Sequence, residues 1–140
     1  MSLVPFEARH IISLAPRLQS AQIGFPGLSL EYGQAMRGNG PCWTLADLHG
    51  IPVACGGLFR QWEGRAIAWA FLAADAPMLE ATRAAALVLD ACDLRRVECW
   101  VDVDFQAGHR WARLLGFERE GLMRSFSPDG RDHILYARCC

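Results

Sequence analysis

The sequence predicts an α+β fold: a single domain over residues 1–140, with a mixed central sheet of about six or seven strands and about four helices. Three observations predict it. Val97, Cys99, Val101 and Val103 alternate with Glu98, Trp100, Asp102 and Asp104, the period-two pattern of a strand. From Phe105 to Leu115 the period becomes helical: Ala107, Trp111, Leu114 and Leu115 share a face, with His109, Arg110 and Arg113 largely off it. Gly116 then stands where a helix C-cap glycine belongs. Finally, a strand pattern at Ala66–Leu72, a helical one from Met78 to about Asp93 and the Val97 strand form a crossover long enough to make the two strands parallel.

The remaining elements follow in order. Residues 3–6 (LVPF) read as a short edge strand that tolerates Pro5. Glu7 to Gln19 reads as a helix with Ile11, Ile12, Ala15 and Leu18 as its apolar stripe, ended or kinked by Pro16. Gly24, Pro26 and Gly27 mark a loop, and Leu28–Met36 a weaker helix with Ser29 as N-cap. Strands at Cys42–Leu48 and Pro52–Phe59 meet across His49-Gly50. Gly56-Gly57 in the second of these signals a bulge or a close backbone approach. Asp75 is placed to cap the crossover helix, whose first turn holds Pro77. The chain closes with strands at Leu122–Phe126 and His133–Arg138, joined by the turn Ser127-Pro128-Asp129-Gly130.

Composition narrows the function. With 140 residues, 52% of them hydrophobic, the chain can build a real core. A net charge of -1 supplies no field for nucleic acid or an anionic membrane, and no apolar run reaches the roughly 18 residues of a membrane span. All 14 basic residues are arginines, so no lysine is available as a Schiff base or general base. The six cysteines form no C-x-x-C pair and the N-terminus lacks a secretory pattern, so the expectation is a cytoplasmic protein with reduced thiols and no metal site.

The segment from Phe105 to Tyr136 carries a sharper signal. Ala107, Arg110, Leu115, Gly116, Phe117, Glu120, Gly121 and Arg124 agree with the pattern N-x-A-S-x-R-V-L-E-K-L-G-F followed by E-G and R. In this motif, and in element order along nearly the whole chain, the sequence resembles the GNAT superfamily of acyl-CoA-dependent N-acetyltransferases, especially the branch that acetylates protein N-termini. It is also similar to short phage-encoded, virion-associated GNAT-like proteins, which would change the expected location from the cytoplasm to the virion. The resemblance implies a three-layer fold and a cleft for acetyl-CoA between the strands ending near Leu72 and Asp104. Phe71, Leu72, Ala73, Ala74, Met78, Leu79, Arg83, Ala107 and Arg110 are the implied cofactor-binding residues. The implied partner is an amine acceptor or another protein, with a homodimer as a further expectation.

Two departures bear on chemistry. The pattern's Asn and Ser are Phe105 and Gly108 here, and Ala112 stands where many members place a tyrosine acid. The pyrophosphate loop of the form Q/R-x-x-G-x-G/A is replaced by Ala73-Ala74-Asp75-Ala76-Pro77-Met78-Leu79-Glu80, which has no glycine. At an effective dielectric of about 20, a carboxylate about 6 Å from a phosphate charge costs roughly 3 kcal/mol. Arg83 would offset part of that. The alternative function is therefore a non-catalytic GNAT-like scaffold.

Candidate catalytic residues are Asp104, as proton acceptor for an attacking amine, and His109, as acid or base. Each has a plainer reading: Asp104 as N-cap of the following helix, His109 as an exposed surface residue. Trp69 and Trp111 read as core, and Trp100, which shares its strand face with Glu98 and Asp102, as a cleft or interface residue. Tyr136 fits either the cleft or the sheet. Arg37, Arg60, Arg65, Arg95 and Arg96 read as scattered solvated charges.

Overall fold

The computed structural model describes residues 1–18 and 28–140. The expected end of the first helix at Gln19 and the loop marked by Gly24, Pro26 and Gly27 lie outside the described residues. The elements are β1 (Ser2–Pro5), α1 (Ala8–Leu14), α2 (Leu30–Gly38), β2 (Cys42–Ala46), β3 (Pro52–Trp62), β4 (Arg65–Leu72), α3 (Met78–Ala91), β5 (Arg96–Asp102), α4 (Gln106–Leu114), β6 (Glu118–Met123) and β7 (His133–Cys139). They form one seven-stranded sheet of order β1-β2-β3-β4-β5-β7-β6. Among the described residues, only β4 and β5 pair in parallel, as the crossover through α3 requires. The order of strands and helices is the one read from the sequence.

Two helices cover each face. Ile11 and Leu14 of α1 and Met36 of α2 pack with Cys55 and Phe71. On the other face, Ala81 and Ala84 of α3 meet Leu45, Ala54 and Leu72, while Leu89 of α3 and Ala112 of α4 meet Ala66, Val97 and Val101. The alternation along β4 and β5 divides these residues between the two layers.

Local differences have physical causes. Helix α1 stops at Leu14 and tightens into a 3-10 turn at Ala15–Arg17, because Pro16 lacks an N–H to continue the helix. Ser29 does cap α2, its hydroxyl accepting the Tyr32 N–H at 3.2 Å. Pro77, not Asp75, occupies the N-cap of α3. Gly56 and Gly57 mark a close approach rather than a bulge, since a Cβ on Gly56 would lie 2.8 Å from the Trp43 ring and from the Trp69 carbonyl. Strand β6 begins four residues before the expected Leu122, because the α4 C-cap delivers the chain straight into it. That cap forms as expected: Gly116 has φ +90°, its N–H bonds Arg113 O, and the Phe117 N–H bonds Ala112 O.

The first turn of helix α1 holds a buried histidine. His10 Nδ1 lies 2.8 Å from Thr44 Oγ1 and accepts the Glu7 N–H at 3.1 Å, which fixes Nδ1 as the unprotonated nitrogen. Burial, with Arg9 beside it, lowers its pKa below the ordinary 6.5. The folded state therefore binds fewer protons than the unfolded one below that value, so this contribution to stability is present above pH 6.5 and is lost as the pH falls through the folded pKa. Thermal unfolding at about pH 7.5 and about pH 5 should show a falling Tm that His10→Ala flattens. Parallel pH dependences in the two proteins would remove His10 as the cause.

Candidate active site

The sheet is parted at its centre. β4 and β5 are in register over three residue pairs, from Arg65–Arg96 to Ile67–Glu98. Further along, residues of both strands line a cavity of about 750 Å³. Trp69, Phe71 and Leu72 of β4 and Cys99, Trp100, Val101 and Asp102 of β5 form its walls. Met78, Ala85 and Val88 of α3, with Phe105 at the N-cap of α4 and Ala107, Gly108 and Trp111 within it, line its end on the α3/α4 side. Tyr32, Gln61 and His133 line it on the other side of the sheet. The lining is overwhelmingly apolar, as a small-molecule site is expected to be. Trp111 Nε1 donates to Thr82 Oγ1 at 2.8 Å and ties α4 to α3 beside the cavity.

The closed end of the parting is held by charge. Glu98, 5% exposed, is bonded in bidentate fashion by Arg65 and also accepts Arg96 Nε at 2.7 Å. Arg96 continues to Glu120. Hydrogen bonding by Arg65, then by Arg96, holds the Glu98 carboxyl at about 2. Arg65 and Arg96 are thus not scattered surface charges. They meet because the parallel register sets Ile67 opposite Glu98, so Arg65, Arg96 and Glu98 all face away from α3 and α4.

At the other end of β5, Asp102 is 9% exposed and gripped by Arg131, Nε to Oδ2 at 2.5 Å and Nη2 to Oδ1 at 2.8 Å. The Arg131 bonds hold its carboxyl at about 2. Arg131 Nη2 also reaches Asp104 Oδ2 at 2.8 Å. Asp104 is exposed, does not line the cavity and does not cap α4, whose N-cap is Phe105. The Asp104 N–H is instead turned onto Asp102 Oδ1 at 2.9 Å.

His109 is buried, not exposed. Its Nε2 lies 3.0 Å from the Val103 carbonyl, which can only accept, so Nε2 carries the hydrogen. Nδ1 then accepts from the Tyr136 hydroxyl at 2.8 Å. Both nitrogens are satisfied, which is why burial is tolerated. Neither His109 nor Tyr136 lines the cavity. α4 is accordingly turned from the expected face: Ala112 and His109 are buried, while Leu114 is 71% exposed.

Of the implied cofactor residues, Phe71, Leu72, Met78 and Ala107 line the cavity; Leu79, Arg83 and Arg110 are exposed outside its lining. In the loop, the N–H groups of Ala73, Ala74 and Ala76 bond the carbonyls of Val53, Arg17 and Ala73. Asp75 is exposed, 3.6 Å from Arg17. Two cavity residues went unnoticed in the sequence as candidate site residues. Asp102 and His133 are directly opposite each other across β5 and β7. Among the described residues, no cluster of His, Cys, Asp and Glu could hold a metal, and no helix is long and apolar enough to cross a membrane.

A mixed seven-stranded sheet parted between its two parallel strands, with two helices on each face, is the GNAT fold. Solved structures give it particular counterparts. The chain is similar to a GNAT superfamily phosphinothricin acetyltransferase from Sinorhizobium meliloti in complex with AcCoA, with 16% identity, 99% of this chain and 87% of that one covered, and a TM-score of 0.75. It is similar to the ribosomal-protein-S5-alanine acetyltransferase from Vibrio fischeri, with 14% identity, 98% and 91% covered, and a TM-score of 0.75. It is also similar to a chain of the NatC complex bound to Gag peptide and CoA, with 15% identity, 100% and 99% covered, and a TM-score of 0.78. No protein-family model and no curated protein sequence matches the chain.

Proposed function

We propose that the chain is a divergent N-acetyltransferase that binds an acetyl thioester, with acetyl-CoA as the donor, and transfers the acetyl group to an amine. The observation that carries this is the apolar cavity running through the parted β4–β5 seam. A pantetheine arm is slender, with two amides and a hydroxyl along an otherwise aliphatic chain, and a narrow seam between two strands suits it. The solved counterparts that hold AcCoA or CoA support the reading.

The two ends of the donor fit unequally. Phe71, Leu72, Met78 and Ala107 are placed to enclose the arm and thioester. The diphosphate finds little. Three loop N–H groups are already bonded, Pro77 has none, and Asp75 and Glu80 add negative charge. What is left is the first turn of α3, with no side-chain cap, and the Arg83 side chain one turn on. Donor affinity should therefore come from the arm. In calorimetric titrations, acetyl-CoA and S-acetylpantetheine are expected to bind with Kd values of order 100 µM and within about tenfold of each other, a difference under about 1.4 kcal/mol. A hundredfold preference for acetyl-CoA would show that the loop rearranges to supply donors.

The committed loop also favours a second reading: a GNAT-fold scaffold without chemistry that binds another protein, in the cytoplasm or on a virion. No heat and no thermal shift with either thioester at millimolar concentration would favour it over the enzyme.

A further inference from the structure

The side of the cavity away from α3 and α4 holds a histidine with a ring nitrogen that, among the described residues, is unengaged. His133 opens β7 opposite Asp102 and lines the cavity. Its Nδ1 is 3.3 Å from the Arg131 carbonyl, which can only accept, so the hydrogen sits on Nδ1. That leaves Nε2 as a lone-pair acceptor, and among the described residues it has no hydrogen-bond partner. The ring is set by an aromatic neighbour: Phe126 lies 5.4 Å from His133 and meets Trp100 edge to face at 4.9 Å. Trp100 is 38% exposed and also lines the cavity. Beside them, two carboxylates, Asp102 and Asp104, share the single guanidinium of Arg131, leaving one net negative charge.

We propose that His133 is the general base for the acceptor amine, and that the acceptor is a primary ammonium carrying an aromatic or apolar group. This rests on the acetyl-transfer reading above. The negative balance of Asp102, Asp104 and Arg131 and the face of Trp100 attract the ammonium. The apolar substituent lies on Trp100 and Phe126. His133 Nε2 first takes one proton from the ammonium, and the freed amine lone pair attacks the thioester carbonyl carbon; the C–N bond forms and the C–S bond breaks. Two protons leave nitrogen. One passes to His133 Nε2 and on to solvent, and the other ends on the departing thiolate sulfur. Neither of the other candidates stands in this position. Asp104 is exposed outside the cavity, and both nitrogens of His109 are engaged behind its wall.

The test is steady-state turnover of 2-phenylethylamine with saturating acetyl-CoA or S-acetylpantetheine, in the wild type, His133→Gln and His133→Ala, with donor affinity measured by calorimetry. Both variants should keep donor Kd within about twofold and lose about a hundredfold in kcat. Added imidazole should restore at least about a tenth of the lost rate to His133→Ala and none to His133→Gln, a rescue that a merely structural role would not give. A loss that imidazole does not restore, a loss under about threefold, or a loss at Asp104→Asn with none at His133 overturns the proposal. Donor binding with no turnover of 2-phenylethylamine overturns it too and leaves the donor reading standing. No donor binding at all overturns both.

Discussion

Glu98→Ala is expected to destabilise the protein by about 3 kcal/mol at neutral pH, the usual loss when one partner of a buried ion pair is removed. Arg65 and Arg96 would be left facing each other, half-buried, across the closed end of the parted sheet. The loss should depend on pH. Because the folded pKa of Glu98 is depressed to about 2 from 4.5, its stabilisation is present above about 4.5 and disappears as the pH falls through about 2. Urea unfolding of the wild type and variant at neutral pH and near pH 2.5 checks both points. The difference between the two proteins should shrink on acidification, while Asp102, depressed in the same way, acts equally in both. A difference under about 1 kcal/mol at neutral pH, or one that does not move with pH, would show that the two arginines are held by something other than Glu98.

Gly108→Ser is expected to destabilise by about 2 kcal/mol, although it restores the residue that the GNAT pattern carries. A Cβ at 108 would stand 2.6 Å from Phe105 Cδ2 and 2.8 Å from Val101 Cγ1. The ring of Phe105 occupies the room that the family's serine needs, so the two departures are coupled. Phe105→Asn alone should also destabilise, because it removes a half-buried ring from the core packed around Val101 and Ala112. The double variant should be more stable than the sum of the singles by about 1–2 kcal/mol, leaving a remainder for the Val101 contact. Simple additivity in a double-mutant cycle would refute the coupling. Trp111 offers a spectroscopic check, since it lines the same cavity.

Much of this architecture is legible in the sequence because it is local. The alternation from Val97 to Asp102, the Gly116 cap and the Ser29 cap each depend on residues a few positions apart. What escaped depends on which strands lie side by side. Arg65 and Glu98 are 33 positions apart, and Asp102 and Arg131 are 29 apart. Nothing in either pair's surroundings announces the other. The pairing of β5 with β7 is what sets His133 beside Asp102. A signal was present, because His133 alternates with Ile134 and Tyr136, the two buried residues of its strand's core face. Placing β7 next to β5 would have put His133 on the Trp100–Asp102 face. The orientation of α4 departs from its sequence pattern for a different reason. Histidine reads as polar by type, while its burial here is decided by two hydrogen bonds, one of them to a residue 27 positions away.

The short parallel seam between β4 and β5 also bears on how the molecule comes apart. The strands β5, β7 and β6 with α4 hold most of one core cluster, around Val101, Ala112, Phe117, Ile134 and Tyr136. The strands β1 to β4 with α1, α2 and most of α3 hold the other two. Where two such bodies share three residue pairs of backbone register, partial opening should follow the seam and not cut across either body. Native-state hydrogen exchange should then resolve two cooperative units. The amides of β5 and β7 would exchange together, at a free energy below that of global unfolding. A thioester bound in the seam would touch both units at once and raise the lower one toward the higher, adding a joint to those that the Arg65–Glu98 pair and the packing of Ala66 and Leu89 on Val97 already make.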